Sequence, residues 1–286
     1  MLLIGGTGKI GQHLVPALTA AGERPTVLAR NPDAARATLG DGVDYLAGDL
    51  RDAGSLDAAL AGHDVVYLAN GQTDDQVALE TAAIDAAVRA GVRRLVKISA
   101  LGAQAGPERA TSVFGRWHAR IEQHLASTPL AATVLRPNIF TANLLGSAGQ
   151  IAQGQLFSTT GDGATAWIDP ADIAAVAAAA LLDDKHAGQT YEITGPEAIT
   201  HDELADRLST VLGHPVQHLR IADADFRAAL EGFGMPQWTV DAYVELNAAI
   251  RDGAAGTVSP DVPTVLGRPA GTVTAFLRSH AGAFAG

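Results

Sequence analysis

The sequence predicts an α/β chain: a parallel sheet wound with helices on both faces. Two observations carry that expectation. Short apolar runs alternate with helical patterns along the first half of the chain. At its start, Leu2-Leu3-Ile4 breaks into glycines spaced three apart, Gly5, Gly8 and Gly11, and passes into the helical pattern Leu14, Val15, Leu18. Read as strand, tight turn and helix, the segment gives each glycine a task. The first permits a backbone conformation costly for other residues, the second lets the main chain approach a pyrophosphate, and the third lets helix pack closely on strand. Free N–H groups at the helix start then face a dianion. A glycine triplet alone also suits an ordinary turn, but a strand before it and a helix after it are the context a dinucleotide site requires.

The later elements follow in order. Pro25 to Ala29 reads as a strand ending at Arg30, and Asn31-Pro32 supplies an N-cap with proline at the first helical position. Val43 to Ala47 is a third strand, followed by a polar turn and helix from Asp49 to Leu60. Asp64 to Ala69 is almost continuously apolar, as a strand buried on both faces should be, and Thr73 to Ala90 is helical. Arg94 to Ile98 is the fifth strand, Thr111 to Ala126 a helix, and Ala131 to Leu135 a sixth strand closing at Arg136-Pro137. Such alternation implies βαβ units and a doubly wound, Rossmann-like sheet. Beyond residue 138 the rhythm loosens. Asp169-Pro170 starts a helix running to Leu182, whose alanine run Ala174 to Ala180 marks close packing against a sheet. Gln189 to Ile193 looks like another strand, and Thr200 to Glu203 reads as a capping box. No linker separates independent domains, so residues 1–286 form one unit: 1–138 mainly the cofactor-binding part, 139–286 mainly a smaller substrate lobe with late sheet elements.

Composition narrows the class. The 286 residues suffice for a full core, and cysteine is absent, which removes disulfides, thiolate nucleophiles and cysteine-ligated metals. The formal net charge is −11, so no electrostatic footprint for nucleic acid or an anionic membrane is expected. The chain opens in its first strand without a leader pattern and carries no long unbroken apolar run, so a cytoplasmic location is expected.

Several motifs resemble the atypical short-chain dehydrogenase/reductase superfamily, and within it the NmrA-like group that includes the type 2 quinone oxidoreductases. They are Gly5-Gly6-Thr7-Gly8-Lys9-Ile10-Gly11, Ala29-Arg30-Asn31-Pro32, Gly48-Asp49-Leu50, Leu95 to Ser99, His118 to Glu122, Leu135-Arg136-Pro137 and Tyr191 to Pro196. The resemblance implies one nucleotide-binding sheet with a C-terminal lobe roofing the substrate cleft. It also implies roles for matching positions: Thr7, Gly8, Lys9 and Ile10 on the pyrophosphate, Asp49 and Leu50 beside the adenine, Asn70 and Gly71 beside the ribose, Ser99 and Pro137 near the nicotinamide. Ligands of open α/β sheets sit at the carboxyl ends of the strands, where these residues fall.

The end of the second strand bears on which cofactor binds. An NAD site presents a carboxylate there for the ribose 2′-hydroxyl, whereas a 2′-phosphate wants arginine. This chain has Arg30 and Asn31 and no acid, with Lys9 as a second positive charge, so NADP(H) is expected over NAD(H). Ordinary short-chain reductases protonate a carbonyl with a tyrosine placed four residues before a lysine. Here the three lysines, Lys9, Lys97 and Lys185, follow Gly5, Arg93 and Leu181 at that spacing. The family helix reads Phe114-Gly115-Arg116-Trp117-His118 instead. Quinone reduction is compatible with that absence, because the anion left by hydride transfer is a phenolate that collects its proton from water. Two alternatives stay open: a non-catalytic NADP(H)-binding redox sensor, and a carbonyl reductase acting through Ser99 or His118.

Of 14 aromatic residues only Tyr45 and Tyr67 precede residue 114, which favours an apolar pocket in the later half for a flat, quinone-like substrate. Phe114, Trp117, Phe140 and Trp167 are the candidate substrate-binding residues, with Phe157, Phe233, Trp238 and Tyr243 as further candidates, although aromatics are mostly core. His118 and Glu122 are four apart on one helical face, a spacing that lets the carboxylate orient the imidazole as a proton donor and equally suits a surface pair. Ser99, at the end of the fifth strand, is the other candidate to bond a substrate oxygen. His214 and His218 have no third partner, and no metal site is expected.

Overall fold

In the computed structural model, which describes residues 1–285, the alternation becomes a seven-stranded sheet whose paired strands all run parallel. Its elements are β1 (Leu2–Ile4), α1 (Gly11–Ala20), β2 (Thr26–Ala29), α2 (Pro32–Leu39), β3 (Asp44–Ala47), α3 (Ala53–Leu60), β4 (Val65–Leu68), α4 (Gln76–Arg89), β5 (Arg94–Ile98), α5 (Val113–Ala126) and β6 (Ala131–Pro137). Asn31, Asp52 and Ser112 cap α2, α3 and α5 with side-chain acceptors. The helix expected from Thr73 starts at Gln76, because Thr73 to Gln76 closes a turn first.

The strand order β3-β2-β1-β4-β5-β6-β8, in which β8 is Thr190–Ile193, reverses between β1 and β4. That reversal opens a crevice at their carboxyl ends, where such sheets take ligands. Side chains alternate between two cores. Leu3, Val27, Tyr67, Val96 and Leu135 pack under α1 and α7 (Pro170–Leu182). Leu2, Leu28, Val66, Leu95 and Val134 pack under α3, α4 and α5. Ala174, Ala177, Ala178 and Ala180 of α7 lie buried in the first core, as close packing requires.

The later residues do not form a free-standing lobe. β8 (Thr190–Ile193) completes the main sheet beside β6, and α7 covers its face against α1. The lobe comprises α6 (Ala148–Ala152), β7 (Gln155–Ser158), α8 (His201–Leu212), β9 (Gln217–Arg220), α9 (Asp223–Gly232), α10 (Gln237–Arg251) and α12 (Val273–Ser279), whereas α11 (Asp261–Leu266) packs on α7 and β8 in the first core. β7 and β9 pair in parallel as a second, two-stranded sheet. Thr200 and Glu203 form the expected capping box of α8. Among the described residues no helix is long and apolar enough to cross a membrane.

His201 opens α8 inside the lobe, with Nδ1 2.8 Å from Thr160 Oγ1. Burial, helped by the neighbouring His218, pushes its pKa down to about 4. An unfolded chain takes up that proton near the ordinary histidine value, so the neutral side chain favours folding above that pH and the benefit drains away as pH falls toward 4. Stability is expected to drop by about 1–2 kcal/mol between pH 7 and pH 5 through this residue. Urea titrations at both values should show a smaller drop in His201→Gln.

Candidate functional site

The turn after β1 has the geometry its glycines predict. Gly5 has φ +93°, and a Cβ there would lie 2.1 Å from the Ala69 carbonyl oxygen. At Gly11 a Cβ would lie 2.2 Å from the Gly6 carbonyl oxygen, so the start of α1 sits directly on the turn. Gly8 differs: a Cβ would meet only the Gly5 oxygen, at 3.4 Å. That glycine is therefore not needed for packing, and Thr7, Gly8 and Lys9 are exposed at the start of α1. Ile10 is buried in the first core, which leaves only its backbone to face a ligand. Gly8→Val is expected to leave the fold intact while weakening both nicotinamide cofactors at least about tenfold, since a branched side chain occupies the close-approach position. Circular dichroism and calorimetric titration check the two halves.

Around this turn the other expected residues gather at the carboxyl ends of the strands. Arg30, after β2, is exposed and has no ion-pair partner among the described residues. Asn31 is spent on capping α2, its Oδ1 accepting from the Ala34 N–H. Asp49 accepts from the Arg51 N–H, and Leu50 packs on the second core. After β4, Asn70 Nδ2 is buried with no partner, and Gly71 borders open space. Pro137 is buried at the end of β6, its carbonyl accepting from Leu101. An unsatisfied buried amide, an unpaired guanidinium and an open glycine turn suit a dinucleotide with a phosphate at the β2 end. Lys9 departs from expectation. Its Nζ donates to Asn143 Oδ1 at 3.0 Å, tying the glycine turn to the segment after β6.

Four aromatic side chains meet above α5. Phe114 stands edge-on to Trp117 (centroids 5.8 Å apart) and Tyr243 (5.9 Å), and Trp117 lies 5.6 Å from Trp238. Two links fasten α10 there: Arg116 pairs with Glu245, and Tyr243 Oη donates to Gln72 Oε1 in the loop after β4. The wall thus stands beside the Asn70-Gly71 crevice. Trp167 is not part of it, being buried in the lobe core edge-on to His201. Phe140 packs against the first core and bridges to Ile168. Phe157 and Phe233 are exposed.

The expected His118–Glu122 pair does not form. Arg136 on β6 captures Glu122 through two hydrogen bonds, and Ser99 donates its hydroxyl to the same carboxylate at 2.5 Å. Ser99 is therefore buried and committed. His118 faces Lys97 instead, with Nδ1 3.3 Å from Nζ. Burial and that neighbouring cation hold its pKa well below the usual value. Lys97 is itself fully buried, donating to the Ile98 carbonyl and ion-paired with equally buried Glu80 of α4 at 2.7 Å. Sequence reasoning missed this pair, although a lysine inside the apolar run Leu95-Val96-Lys97-Ile98 signals that a neighbouring element must supply an acid. His218 lies between Ser158 and Asp202, and no cluster of three metal-ligating residues occurs among those described.

The fold and glycine turn define a nicotinamide-nucleotide protein, and the family model for NAD(P)H-binding proteins matches residues 5–184: the chain belongs to that family. It is 38% identical over 285 residues to the NAD(P)H azoreductase of Xenophilus azovorans, covering 99% of each chain. It is 36% identical over 287 residues to the (4-alkanoyl-5-oxo-2,5-dihydrofuran-3-yl)methyl phosphate reductase of Streptomyces griseus, covering 100% of this chain and 99% of that one. The NADPH-dependent quinone oxidoreductase of Escherichia coli, solved in complex with NADPH, superposes with a TM-score of 0.89 at 28% identity, over 99% of this chain and 100% of the other. The atypical short-chain reductase resemblance of the motifs therefore holds along the whole length.

Proposed function

We propose that this protein is an NAD(P)H-dependent oxidoreductase that uses NADPH to reduce flat, conjugated acceptors of the quinone class. The observation that carries the acceptor class is the aromatic wall Phe114–Trp117–Trp238–Tyr243, raised beside the crevice. Its tyrosine gives its hydroxyl hydrogen to Gln72 and has no lysine four residues on. Azo compounds are a second acceptor group to test, since the azoreductase of Xenophilus azovorans is similar over its full length.

Gly5 to Gly11 would hold the pyrophosphate, Arg30 the 2′-phosphate, and Asn70 and Gly71 the ribose. When bound, the nicotinamide supplies a hydride. The chain's own work is positioning: the wall offers large apolar faces on which a planar ring system stacks, and α10 screens it from water. A reduced quinone carries its charge on a phenolate oxygen, which takes its proton from water. No side chain need be a strong acid, and none is poised as one. Ser99 is bonded to Glu122, and His118 is held neutral. A ketone makes the opposite demand, because its alkoxide must be protonated as it forms.

The test is NADPH oxidation, followed by absorbance, against a panel of quinones, azo dyes, enones and ketones. Turnover of quinones or azo dyes with little activity on ketones supports the reading. Turnover of ketones alone, or tight NADPH binding without turnover of any acceptor, overturns it.

A further inference from the structure

We propose that Lys97 is a positioning residue, whose buried ammonium fixes His118 as the neutral Nε2–H tautomer so that Nε2–H donates a hydrogen bond to the acceptor's oxygen or nitrogen. The proposal rests on the reductase reading above and adds the group that meets the substrate's polar atom.

Donor and acceptor capacity decide the tautomer. An ammonium has three hydrogens and no lone pair. Those of Lys97 have three partners: the Glu80 carboxylate, the Ile98 carbonyl and His118 Nδ1. At the last of these the nitrogen of His118 must be the acceptor, and in a neutral imidazole the proton then sits on Nε2.

The other side of the ring leaves that proton free. Gln76 Nε2 donates to Glu80 Oε1 at 2.9 Å. A carboxylate only accepts, so the amide cannot turn its oxygen to the histidine without setting two acceptors against each other. With Nδ1 taken by the ammonium, His118 Nε2–H faces an NH2 group at 3.4 Å, donor against donor, so no bond forms there. Gln76 Oε1 is left buried without a partner. Among the described residues nothing accepts from His118 Nε2–H, and His118 as a whole residue is half-buried.

The surrounding charges keep the ring neutral. Lys97 of β5 lies against it, Glu80 of α4 is taken up by Lys97, and Glu122 of its own helix is taken up by Arg136 of β6. His118 follows Phe114 by one turn of α5, so the free N–H and the aromatic wall share one helical face. A neutral imidazole there stabilises developing negative charge without surrendering its proton, which suits a phenolate or a hydrazide better than an alkoxide.

The direct measurement is long-range proton–nitrogen spectroscopy of 15N-histidine-labelled protein, with the His118 signals assigned by their loss in His118→Phe. The wild type should show neutral Nε2–H from neutral into mildly acidic pH. Lys97→Met/Glu80→Gln removes both buried charges together, keeping the core uncharged, and should mix the tautomers and restore ordinary protonation. A wild-type Nδ1–H or imidazolium pattern, or one unmoved by the double variant, overturns the proposal. Kinetics with a naphthoquinone test the donated bond. In the double variant and in His118→Phe, kcat should fall about tenfold with KM for NADPH unchanged, the scale of one lost hydrogen bond. If His118→Phe keeps full kcat, the donation is wrong and the reductase reading stands. If the wild type reduces no quinone or azo dye, the reading itself fails, and the donated bond with it.

Discussion

Glu80→Ala is expected to destabilise the protein by about 3–5 kcal/mol, because it strands a buried ammonium with no counter-charge. Both side chains are inaccessible to solvent, so water cannot take over when the carboxylate goes. The Ile98 carbonyl and neutral His118 offer Lys97 only dipoles. Gln76 loses its acceptor at the same stroke, adding a second unsatisfied donor between α4 and β5. The loss should be visible as a lower urea midpoint with the slope unchanged. Lys97→Met on the same background should recover most of it, since buried pairs replaced whole by apolar groups cost little. A loss under about 1 kcal/mol, the range of exposed pairs, would mean that water reaches this pair in solution.

Arg30→Ala is expected to weaken NADPH binding about ten- to a hundredfold, the worth of a charge-assisted arginine–phosphate contact, and to leave NADH binding almost unchanged. The guanidinium is exposed at the end of β2 and has no competing carboxylate among the described residues, so it needs no rearrangement before meeting a phosphate. NADH lacks that phosphate and has nothing for Arg30 to lose. Calorimetric titration of both cofactors decides. Equal weakening of both would remove the 2′-phosphate assignment, and no weakening would place the phosphate elsewhere.

The main sheet was legible because its signals are local. Apolar runs, Asn31-Pro32 and Asp169-Pro170 each lie within a few residues of the element they specify, and the turn at Gly5 needs only its own backbone. The lobe was less so. β7 finds β9 across 58 intervening residues, and neither short strand stands out in composition. The site divides the same way. Positions at strand ends follow from topology, whereas the partners of His118 and Ser99 depend on which side chains three separate elements bring together. Helical spacing suggested Glu122 for His118, but Arg136 on the adjacent strand offers that carboxylate a full positive charge and two parallel bonds, a stronger demand than a neutral imidazole makes. Trp167 misled for a related reason: sequence tells that an aromatic will be buried, not which core it fills.

Because β8 and α7 come late in the chain yet finish the main sheet, order of synthesis matters to this protein. When residue 138 has left the ribosome, six strands exist, but the α1 face still lacks Ile173, Ala174, Val176 and Ala177 to cover it. A nascent chain at that stage presents a broad apolar surface and an open β6 edge, the features that draw chaperones or invite mispairing. The β6 edge closes only when Thr190–Ile193 docks beside it. A fragment ending at Asn138 should therefore aggregate, although it contains every glycine of the nucleotide turn.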